Sequence, residues 1–334
     1  MSKKLRLTSL LAVALSTLTL VSCGKYSDKP KGVTATSGVT KLACIESFEN
    51  IMEQEIEVFE YIYKDANVLP YYLNELACVD SLMSGKVSSV VISRELTAEE
   101  TKKLTEQKRK PKSSLIAVDA IALVVNNNNP VEILSTDDIA DILTGKITDW
   151  NEISPSQAGK IEVVFDHAGS SMVNYMRDKL THGESFGGNV YAQGSNQKVI
   201  EAVSTHKGAI GIIGVSWLSA NMDGKTVDST AELAERSQRN DTTTLTSSVD
   251  EFTPEIKVLK VREAGKVHAY KPYQVDIFNG DYPFYRSIYM ITTGVGGTPS
   301  HGFYSFVTSV RGQKLILLTG VLPGKMYQRE VNLQ

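Results

Sequence analysis

The chain has 334 residues, of which 42% are hydrophobic, with 35 lysines and arginines against 38 aspartates and glutamates. This length and composition are typical of a globular protein with room for two lobes of ordinary domain size. The net charge of −3 excludes the strongly basic surface that nucleic-acid binding requires, so any anion site must depend on local groups.

The N-terminal segment has the pattern of an exported lipoprotein. Three basic residues precede an apolar run at 7–20, namely Lys3, Lys4 and Arg6. The run is too short to span a bilayer, and Leu20-Val-Ser-Cys23 has the form of a lipoprotein cleavage box. We therefore predict a signal peptide at 1–22, a lipid on Cys23 and a flexible tether at 23–38. The alternative is an ordinary secretory signal with an incidental cysteine.

Strand and helix patterns alternate after the tether. Apolar runs and alternation predict strands at 39–45, 67–72, 87–92 and 118–126. Helical spacing of apolar residues predicts helices at 48–63, 75–83 and from residue 98. Ser47 is the predicted N-cap of the first helix, and Thr97 with Glu100 forms a capping box before the third. The alternation is typical of a mostly parallel sheet with helices on both faces.

The remainder of the chain continues this pattern with longer polar connections. A helix is predicted from a cap at Ser135 or Thr136 to the stop residue Gly145, and another begins after Ser195. Further helices are predicted at 170–180, 303–310 and 312–318. Further strands are predicted at 161–165, 190–191, 209–213, 256–261, 273–277 and 287–292. The polar, weakly patterned segment 219–247 is predicted to be a surface excursion.

The residues that usually carry catalysis or metal binding are poorly represented. Beyond Cys23 the only cysteines are Cys44 and Cys78, for which two buried free thiols are favoured over a disulfide. The five histidines form no His-x-x-x-His pair, and the segment around Ser216 lacks the second glycine of a nucleophile elbow. We therefore expect no enzymatic activity, no metal ion and no cofactor.

Five motifs in the right order resemble a known family. They are Ser93-Arg-Glu-Leu-Thr97, Asp119-Ala-Ile-Ala122 with Thr144-Gly-Lys-Ile-Thr-Asp-Trp150, Lys207-Gly-Ala-Ile-Gly211, Tyr282-Pro-Phe-Tyr-Arg286, and Phe303-Tyr-Ser-Phe306 with Arg311-Gly-Gln-Lys314. Their order resembles that in the solute-binding proteins of ABC importers, and most closely in the phosphate-binding group. The resemblance implies an α/β, two-lobed fold of the type II periplasmic-binding-protein kind. Each lobe is then a mostly parallel sheet flanked by helices, and two crossover strands connect the lobes.

The resemblance also sets the lobe boundaries and the place of a ligand. Lobe I would comprise 39–126 and 285–334, and lobe II would comprise 127–284, with the ligand in the cleft between them. Helix N-termini that point into such a cleft offer free N–H groups and a positive dipole end to an oxyanion. The predicted ligand contacts are Ser47, Ser93, Arg94, Gly169, Ser170 and Ser171.

Each of these contacts has a structural alternative. The serines would otherwise be plain helix caps, and Arg94 would otherwise pair with a nearby glutamate such as Glu95 or Glu99. Asp119 either ends a turn or contacts a partner, with direct ligand contact less favoured. His167, near the expected cleft, is more simply a polar loop residue.

The chain departs from the phosphate-binding pattern at several positions. Phe165 stands where relatives carry an arginine, and Met172 and Asn174 replace a threonine and an arginine of the second-lobe loop. Arg94 stands where an aspartate often accepts the proton of hydrogen phosphate. Because Phe165 replaces the arginine expected in the second lobe, Arg94 is the predicted charged contact. The fold is therefore expected to be retained, while the phosphate recognition set is incomplete.

The function expected from these observations is solute binding outside the cytoplasm. We expect a monomeric lipoprotein of the bacterial cell envelope, facing the periplasm or the cell exterior. It would deliver phosphate or another small oxyanion to the permease and ATPase subunits of an ABC importer, without binding nucleic acid. The alternative is a binding-fold protein that has lost its transport ligand and serves as a sensory, adhesion or scaffold module. A secreted hydrolase has no residue set in its favour.

Overall fold

The computed structural model describes residues 32–155, 157–219, 229–239 and 255–325. The predicted signal peptide, Cys23 and most of the predicted tether lie outside these ranges, as does much of the segment 219–247. All described elements belong to one compact unit that begins at Val33. No helix within the described ranges is both long enough and apolar enough to cross a membrane.

The described ranges contain twelve strands, of which eight follow one another through a continuous sheet. They are β1 (Ser37–Ile45), β2 (Asp65–Leu73), β3 (Ser89–Ile92), β4 (Lys112–Asn126), β5 (Ile133–Ser135), β6 (Glu162–Phe165), β7 (Val190–Ala192), β8 (Ala209–Gly214), β9 (Ile256–Val258), β10 (Lys260–Arg262), β11 (Tyr285–Thr292) and β12 (Leu322–Pro323). The order is β2-β1-β3-β11-β4-β8-β6-β7, with β12 and β9 pairing with β4 beside this path. Pairing is parallel within β2-β1-β3 and within β8-β6-β7, whereas β11 and β4 are antiparallel to their neighbours. Two parallel segments are thus joined by two antiparallel strands, as the predicted fold class requires.

The long strand β4 is the main connection between the two sheet segments. Its first part pairs with β11 as far as Ala120, and its second part pairs with β8 from Ile121 to Val125. Every residue from Asp119 to Asn126 is buried. Such a run, apolar rather than alternating after Asp119, is characteristic of a strand covered on both faces.

Two separate hydrophobic cores lie on either side of this connection. Core I contains buried apolar residues between positions 42 and 117 and between 288 and 321, together with two residues from the segment 219–247. Core II contains buried apolar residues between positions 120 and 284. The change of core along β4 and before β11 supports two lobes, and we keep the lobe boundaries 39–126, 127–284 and 285–334 as a proposal.

Eleven helices cover the sheet in the described ranges, in addition to 3₁₀ turns at Glu46–Phe48 and Trp150–Glu152. They are α1 (Glu49–Ile62), α2 (Glu75–Met83), α3 (Ala98–Glu106), α4 (Thr136–Thr144), α5 (Ser171–Leu180), α6 (Asn196–Thr205), α7 (Ser216–Ser219), α8 (Thr230–Gln238), α9 (Gln274–Asn279), α10 (Pro299–Val307) and α11 (Val310–Leu318). The capping box of Thr97 and Glu100 is confirmed, and Gly145 ends α4 in the left-handed conformation at φ 76°. Local signals therefore set these boundaries correctly.

The predicted N-cap at Ser47 is wrong. A 3₁₀ turn precedes α1, and Phe48 stands at the N-cap position without a side-chain cap hydrogen bond. The Ser47 hydroxyl instead makes long-range contacts with residues of other elements. Its role therefore depends on tertiary structure that the local pattern does not contain.

Two further predictions fail in the second half of the chain. The segment 273–277 was predicted as a strand but lies largely within α9, which Gly280 ends at φ 74°. The apolar alternation was misleading because Ile277 is buried while Val275 is 61% exposed. The segment 219–247, predicted to be a surface excursion, is described only in part, and that part contains α8, whose Leu233 and Ala234 pack in core I. The predicted strand 256–261 is divided into β9 and β10.

Candidate functional site

A buried arginine lies where the two cores meet. Arg286, the second residue of β11, is 4% exposed and forms an ion pair with the fully buried Asp119 of β4. Its Nη2 donates to Asp119 Oδ2 at 3.0 Å, and its Nε donates to the same oxygen at 3.3 Å. The β11–β4 register pairs Arg286 directly with Asp119. The backbone of the two connecting strands therefore fixes this ion pair.

Two serines from distant parts of the chain complete the arrangement, which we call the Arg286 cluster (Arg286, Asp119, Ser47 and Ser171). Ser47 Oγ accepts from Arg286 Nη2 at 2.6 Å, and Ser171 Oγ accepts from Arg286 Nη1 at 2.9 Å. The two hydroxyl oxygens are 3.1 Å apart. Ser47 follows β1, which packs in core I, and Ser171 begins α5, which packs in core II. The cluster therefore joins elements of both cores.

The hydrogen-bond inventory of the cluster leaves one hydroxyl hydrogen for another acceptor. Each serine hydroxyl has one hydrogen to donate and lone pairs that accept. Both oxygens already accept from the guanidinium, and a single hydrogen is enough to bridge them. If Ser47 donates to Ser171, the Ser171 hydrogen is free to donate to a ligand.

The charge of the cluster is balanced internally. Burial raises the pKa of Asp119, and the adjacent Arg286 opposes that rise. Asp119 Oδ2 takes both arginine hydrogen bonds, while Oδ1 accepts none from the part of the chain described. Because the carboxylate neutralises the guanidinium, the cluster offers oriented hydrogen-bond donors with little net charge.

A cavity of about 380 Å³ opens beside the Arg286 cluster. Its lining comes from α2, from the loop after β3 and from α5: Glu75, Ser93, Ser171, Asn174, Tyr175, Asp178 and Lys179. Because α2 and β3 contribute to core I and α5 contributes to core II, the cavity lies between the cores. Through Ser171 the first turn of α5 reaches the cavity, and the first N–H groups of a helix have no intrahelical acceptor. The cavity thus combines a hydroxyl donor with the positive end of a helix dipole.

Tyr175 forms part of the same wall. Its hydroxyl donates to the Tyr285 carbonyl oxygen at 2.9 Å, which links α5 to the first residue of β11. Burial raises the pKa of Tyr175 to about 12. The phenol therefore remains neutral at physiological pH and holds α5 against the connecting strand.

Ser93 and Arg94, which follow β3, are held by two glutamates. Ser93 N–H donates to Glu75 Oε2 at 2.9 Å, and the Ser93 hydroxyl donates to the same oxygen. Arg94 Nε lies 3.3 Å from Glu75 Oε1, and its terminal nitrogens donate to Glu100 at 2.8 and 3.0 Å. The hydrogen bonds between Arg94 and Glu100 raise the pKa of Arg94 and lower the pKa of Glu100. Glu75 and Glu100, rather than the expected Glu95 or Glu99, are thus the carboxylate partners of Arg94.

Ser170 acts locally as the cap of α5. Its Oγ donates to Asp166 Oδ1 at 2.7 Å and accepts from the Val173 N–H at 3.3 Å. Ser170 is buried and is not among the residues that line the 380 Å³ cavity. The capping alternative considered for this residue therefore describes its contacts in the structure.

Gly169 borders a different space from Ser171. A second cavity of about 280 Å³ is lined mostly by apolar residues after β6 and around β7: Phe165, His167, Ala168, Gly169, Val173, Phe186, Gly187, Val190, Tyr191 and Ala192. The Phe165 ring stacks on Phe186 with the ring centroids 5.7 Å apart. An apolar contact thus occupies the position where an arginine was expected from the family pattern.

The structure brings together three of the six predicted contacts. Ser93 and Ser171 line the 380 Å³ cavity and Ser47 touches Ser171, whereas Arg94, Gly169 and Ser170 do not line it. Sequence reasoning missed Arg286 as a site residue, although the Tyr282-Pro-x-x-Arg286 motif contained it. Its burial and its partner on β4 become visible only when β11 is aligned with β4.

The two cysteines within the described ranges do not form a disulfide. Cys44 and Cys78 are buried free thiols, as favoured from the sequence, and burial raises the pKa of both. Across the described ranges, no group of three or more histidine, cysteine, aspartate or glutamate side chains is arranged to hold a metal ion.

Comparison with known proteins identifies the class to which this fold and site belong. A family profile described as a PBP superfamily domain matches residues 29–311, so the chain belongs to the PBP superfamily. Among relatives, the phosphate-binding protein PstS 2 of Streptococcus agalactiae is 32% identical over 119 residues, which cover 36% of this chain and 39% of the relative. The phosphate-binding protein PstS of Staphylococcus epidermidis is 23% identical over 175 residues, which cover 52% of this chain and 53% of the relative. The matched part thus spans less than two thirds of either relative.

Solved structures agree with this assignment of the fold. A putative phosphate ABC transporter substrate-binding protein with bound phosphate from Clostridium perfringens has a TM-score of 0.63 at 22% identity, covering 86% of this chain and 99% of that chain. An ABC-type phosphate transport receptor from Vibrio cholerae has a TM-score of 0.59 at 21% identity, covering 86% and 100%. At these identities the likeness establishes the two-lobed fold.

Proposed function

We propose that this chain is the extracytoplasmic solute-binding component of an ABC importer and that it binds phosphate or another small oxyanion between its two cores. The observation that carries the proposal is the Arg286 cluster, in which one guanidinium contacts Ser47 and holds Ser171 at the wall of the intercore cavity. The ligand would be bound and released unchanged to permease and ATPase subunits.

In this proposal the anion is held by hydrogen-bond donors from both lobes. Ser171 supplies a hydroxyl, the first turn of α5 supplies backbone N–H groups, and Ser93 supplies donors from the opposite side. Ser47 and Arg286 orient the Ser171 hydroxyl. Lys179, on the wall of the same cavity, adds a cation at its edge.

Two arguments favour phosphate among the small oxyanions. The relatives and solved structures named above are described as phosphate-binding proteins. In addition, Asp178 lines the cavity, and its carboxylate can accept a hydrogen bond from a protonated anion. Hydrogen phosphate carries such a proton at neutral pH, whereas sulfate does not, so phosphate should be bound more tightly than sulfate.

Replacing Ser171 with Ala should weaken phosphate binding by about tenfold to a hundredfold. The variant removes a charge-assisted hydrogen bond, and such a bond contributes roughly 1.5–3 kcal/mol. Isothermal titration calorimetry of the purified chain with inorganic phosphate measures the change. Ser195→Ala is the matched control, because Ser195 caps α6 in the same core and lines neither cavity. Equal affinities for the parent and Ser171→Ala would refute the assigned site.

A second function retains support from one observation. Several donors of the site already have acceptors within the protein, because Arg286 donates to Ser47 and Ser171, and Ser93 donates to Glu75. A binding fold without a transport ligand, acting as a sensory, adhesion or scaffold module, would keep such contacts permanently. The absence of any heat of binding with phosphate, sulfate and organic phosphates would favour that module over the importer component.

We also propose that Cys23 carries a lipid and holds the protein at the membrane surface. This proposal depends on the cleavage box at Leu20-Val-Ser-Cys23. Each buried CH₂ of an acyl chain contributes roughly 0.8 kcal/mol to membrane binding. Cys23→Ala should accumulate unprocessed precursor and abolish labelling by a fatty-acid analogue, while Cys44→Ala, at a buried thiol, should be labelled like the parent. Undiminished labelling of Cys23→Ala would exclude this anchor.

A further inference from the structure

The loop after β3 already holds an anion that belongs to the protein itself. The Glu75 carboxylate accepts hydrogen bonds from the Ser93 N–H, at 2.9 Å, and from the Ser93 hydroxyl, while its other oxygen lies 3.3 Å from Arg94 Nε. A backbone N–H, a hydroxyl and a guanidinium that converge on one carboxylate are the donors that a bound oxyanion would use. Glu75 therefore occupies the anion position of this loop.

Glu75 is placed where a ligand would meet it. It is the first residue of α2, and together with Ser93 and Ser171 it lines the 380 Å³ cavity. Its side chain is 23% exposed, so a change of side-chain rotamer can move the carboxylate out of the loop without moving the backbone. An anion bound at Ser171 and a carboxylate kept at Ser93 would repel each other across the same cavity.

The donors would remain in place after Glu75 leaves. Arg94 is held independently by Glu100, through two hydrogen bonds of 2.8 and 3.0 Å. Glu100 is in turn fixed by the capping box with Thr97 at the start of α3. The contacts with Glu100 therefore preorganise the loop independently of Glu75. Displacement of Glu75 then exposes donors that need no rearrangement.

We propose that Glu75 is an internal competitor that occupies the Ser93–Arg94 donors in the free protein and must be displaced by the cleft oxyanion. This proposal rests on the proposed function, since it assigns the residue that sets the affinity of the same site. In this role Glu75 lowers affinity, because each ligand contact at Ser93 replaces a contact already made.

The test compares phosphate binding by variants at Glu75 and at Glu100. Glu75→Ala vacates the donors and should raise the affinity of the purified chain for inorganic phosphate by about tenfold or more, the value of one charge-assisted hydrogen bond. Glu75→Gln keeps the side-chain size and one acceptor but removes the charge, so its affinity should lie between those of the parent and Glu75→Ala. Glu100→Gln is the matched control, because it removes the other carboxylate that pairs with Arg94, and because Glu100 lines neither cavity. Its affinity should not increase.

A double-mutant cycle with Ser93 separates competition from a general charge effect. In the parent, Ser93→Ala should change phosphate affinity little, because on binding the Ser93 hydroxyl exchanges its hydrogen bond to Glu75 for a similar one to phosphate. In the Glu75→Ala background the same substitution should weaken binding by severalfold, because the hydroxyl then gains a partner only in the complex. An equal loss in both backgrounds would overturn the proposal.

The outcomes separate this inference from the proposed function. If the parent binds phosphate and Glu75→Ala binds with equal or lower affinity, the competitor role is refuted while the proposed function stands. If Glu75→Ala binds phosphate and the parent does not, Glu75 is the competitor and the native chain is not a phosphate receptor. If neither protein binds phosphate or sulfate, both proposals are refuted.

Discussion

Replacing Arg286 with Met is expected to lower the free energy of unfolding by about 3–5 kcal/mol, because the substitution leaves an unpaired buried carboxylate. Asp119 is 0% exposed, and Arg286 donates both of the hydrogen bonds that its Oδ2 accepts. The variant also removes the guanidinium N–H groups that donate hydrogen bonds to Ser47 and Ser171 at the junction of the two cores. Urea denaturation at neutral pH measures the loss.

A second variant distinguishes the effect of the unpaired buried charge from the effect of lost packing contacts. Arg286→Met combined with Asp119→Asn should recover a large part of the loss, because no charge is then buried without a partner. Lys103→Met provides the reference for an exposed ion pair, since Lys103 is 58% exposed and lies 2.8 Å from Glu99. That change should cost much less than Arg286→Met, because water screens an exposed ion pair. Equal losses for the single and double variants would refute the electrostatic explanation.

The Arg286→Met variant should also acquire a pH dependence of known sign. Burial raises the pKa of Asp119 in the folded state, and without Arg286 nothing opposes that rise. A carboxyl group whose pKa is higher in the folded than in the unfolded state keeps its proton on folding. Stability is then lost as the pH rises above the unfolded value, about 3.9. The variant should therefore be closer to the parent in stability at pH 5 than at pH 7.

Replacing Glu55 with Gln is expected to stabilise the protein at neutral pH and to flatten its pH dependence, because the amide does not titrate. Glu55 lies in the middle of α1 with 0% exposure, and neither carboxylate oxygen accepts a hydrogen bond from the described residues. Burial raises the pKa of Glu55 well above its ordinary value. The folded protein therefore keeps this proton, while the unfolded chain releases it above pH of about 4.3.

The sign and size of the effect follow from this difference in proton binding. The folded state holds the extra proton, so the parent loses about 1.4 kcal/mol of stability per pH unit between the unfolded and folded pKa values of Glu55. Urea denaturation at several pH values from 5 to 8 should show that, as the pH rises, the free energy of unfolding of the parent decreases relative to that of Glu55→Gln. Glu57→Gln, on the exposed face of the same helix, should show the same pH dependence of the unfolding free energy as the parent. A parent–variant difference that stays constant with pH would show that Glu55 does not titrate as expected.

The elements that the sequence predicted correctly are those with complete local signals. The capping boxes at Thr97 and Ser135 and the left-handed Gly145 each lie within a few residues of the boundary they set. The segment 273–277 failed because a short apolar alternation fits a strand and a single exposed helical turn equally well. Only the burial of Ile277, a tertiary property, separates the two.

The candidate site was less predictable because its contacts span the chain. Arg286 reaches Ser47 over 239 positions and Asp119 over 167 positions, and no local pattern encodes such pairings. Arg94 appeared to be the available cation near the cleft, yet two glutamates already neutralise it. One of them, Glu75, precedes Ser93 by 18 positions and meets it only because α2 begins beside the end of β3. Residue type identified candidate donors, and the tertiary structure shows which of them already have partners within the protein.

The most direct measurement is a crystal structure of the chain grown with inorganic phosphate. We expect a tetrahedral anion in the intercore cavity, within hydrogen-bond distance of Ser171 Oγ. We also expect that the Arg286–Asp119 ion pair is intact and that the Glu75 carboxylate has withdrawn from Ser93. An empty intercore cavity at saturating phosphate, or phosphate bound only elsewhere on the protein, would contradict the central claim.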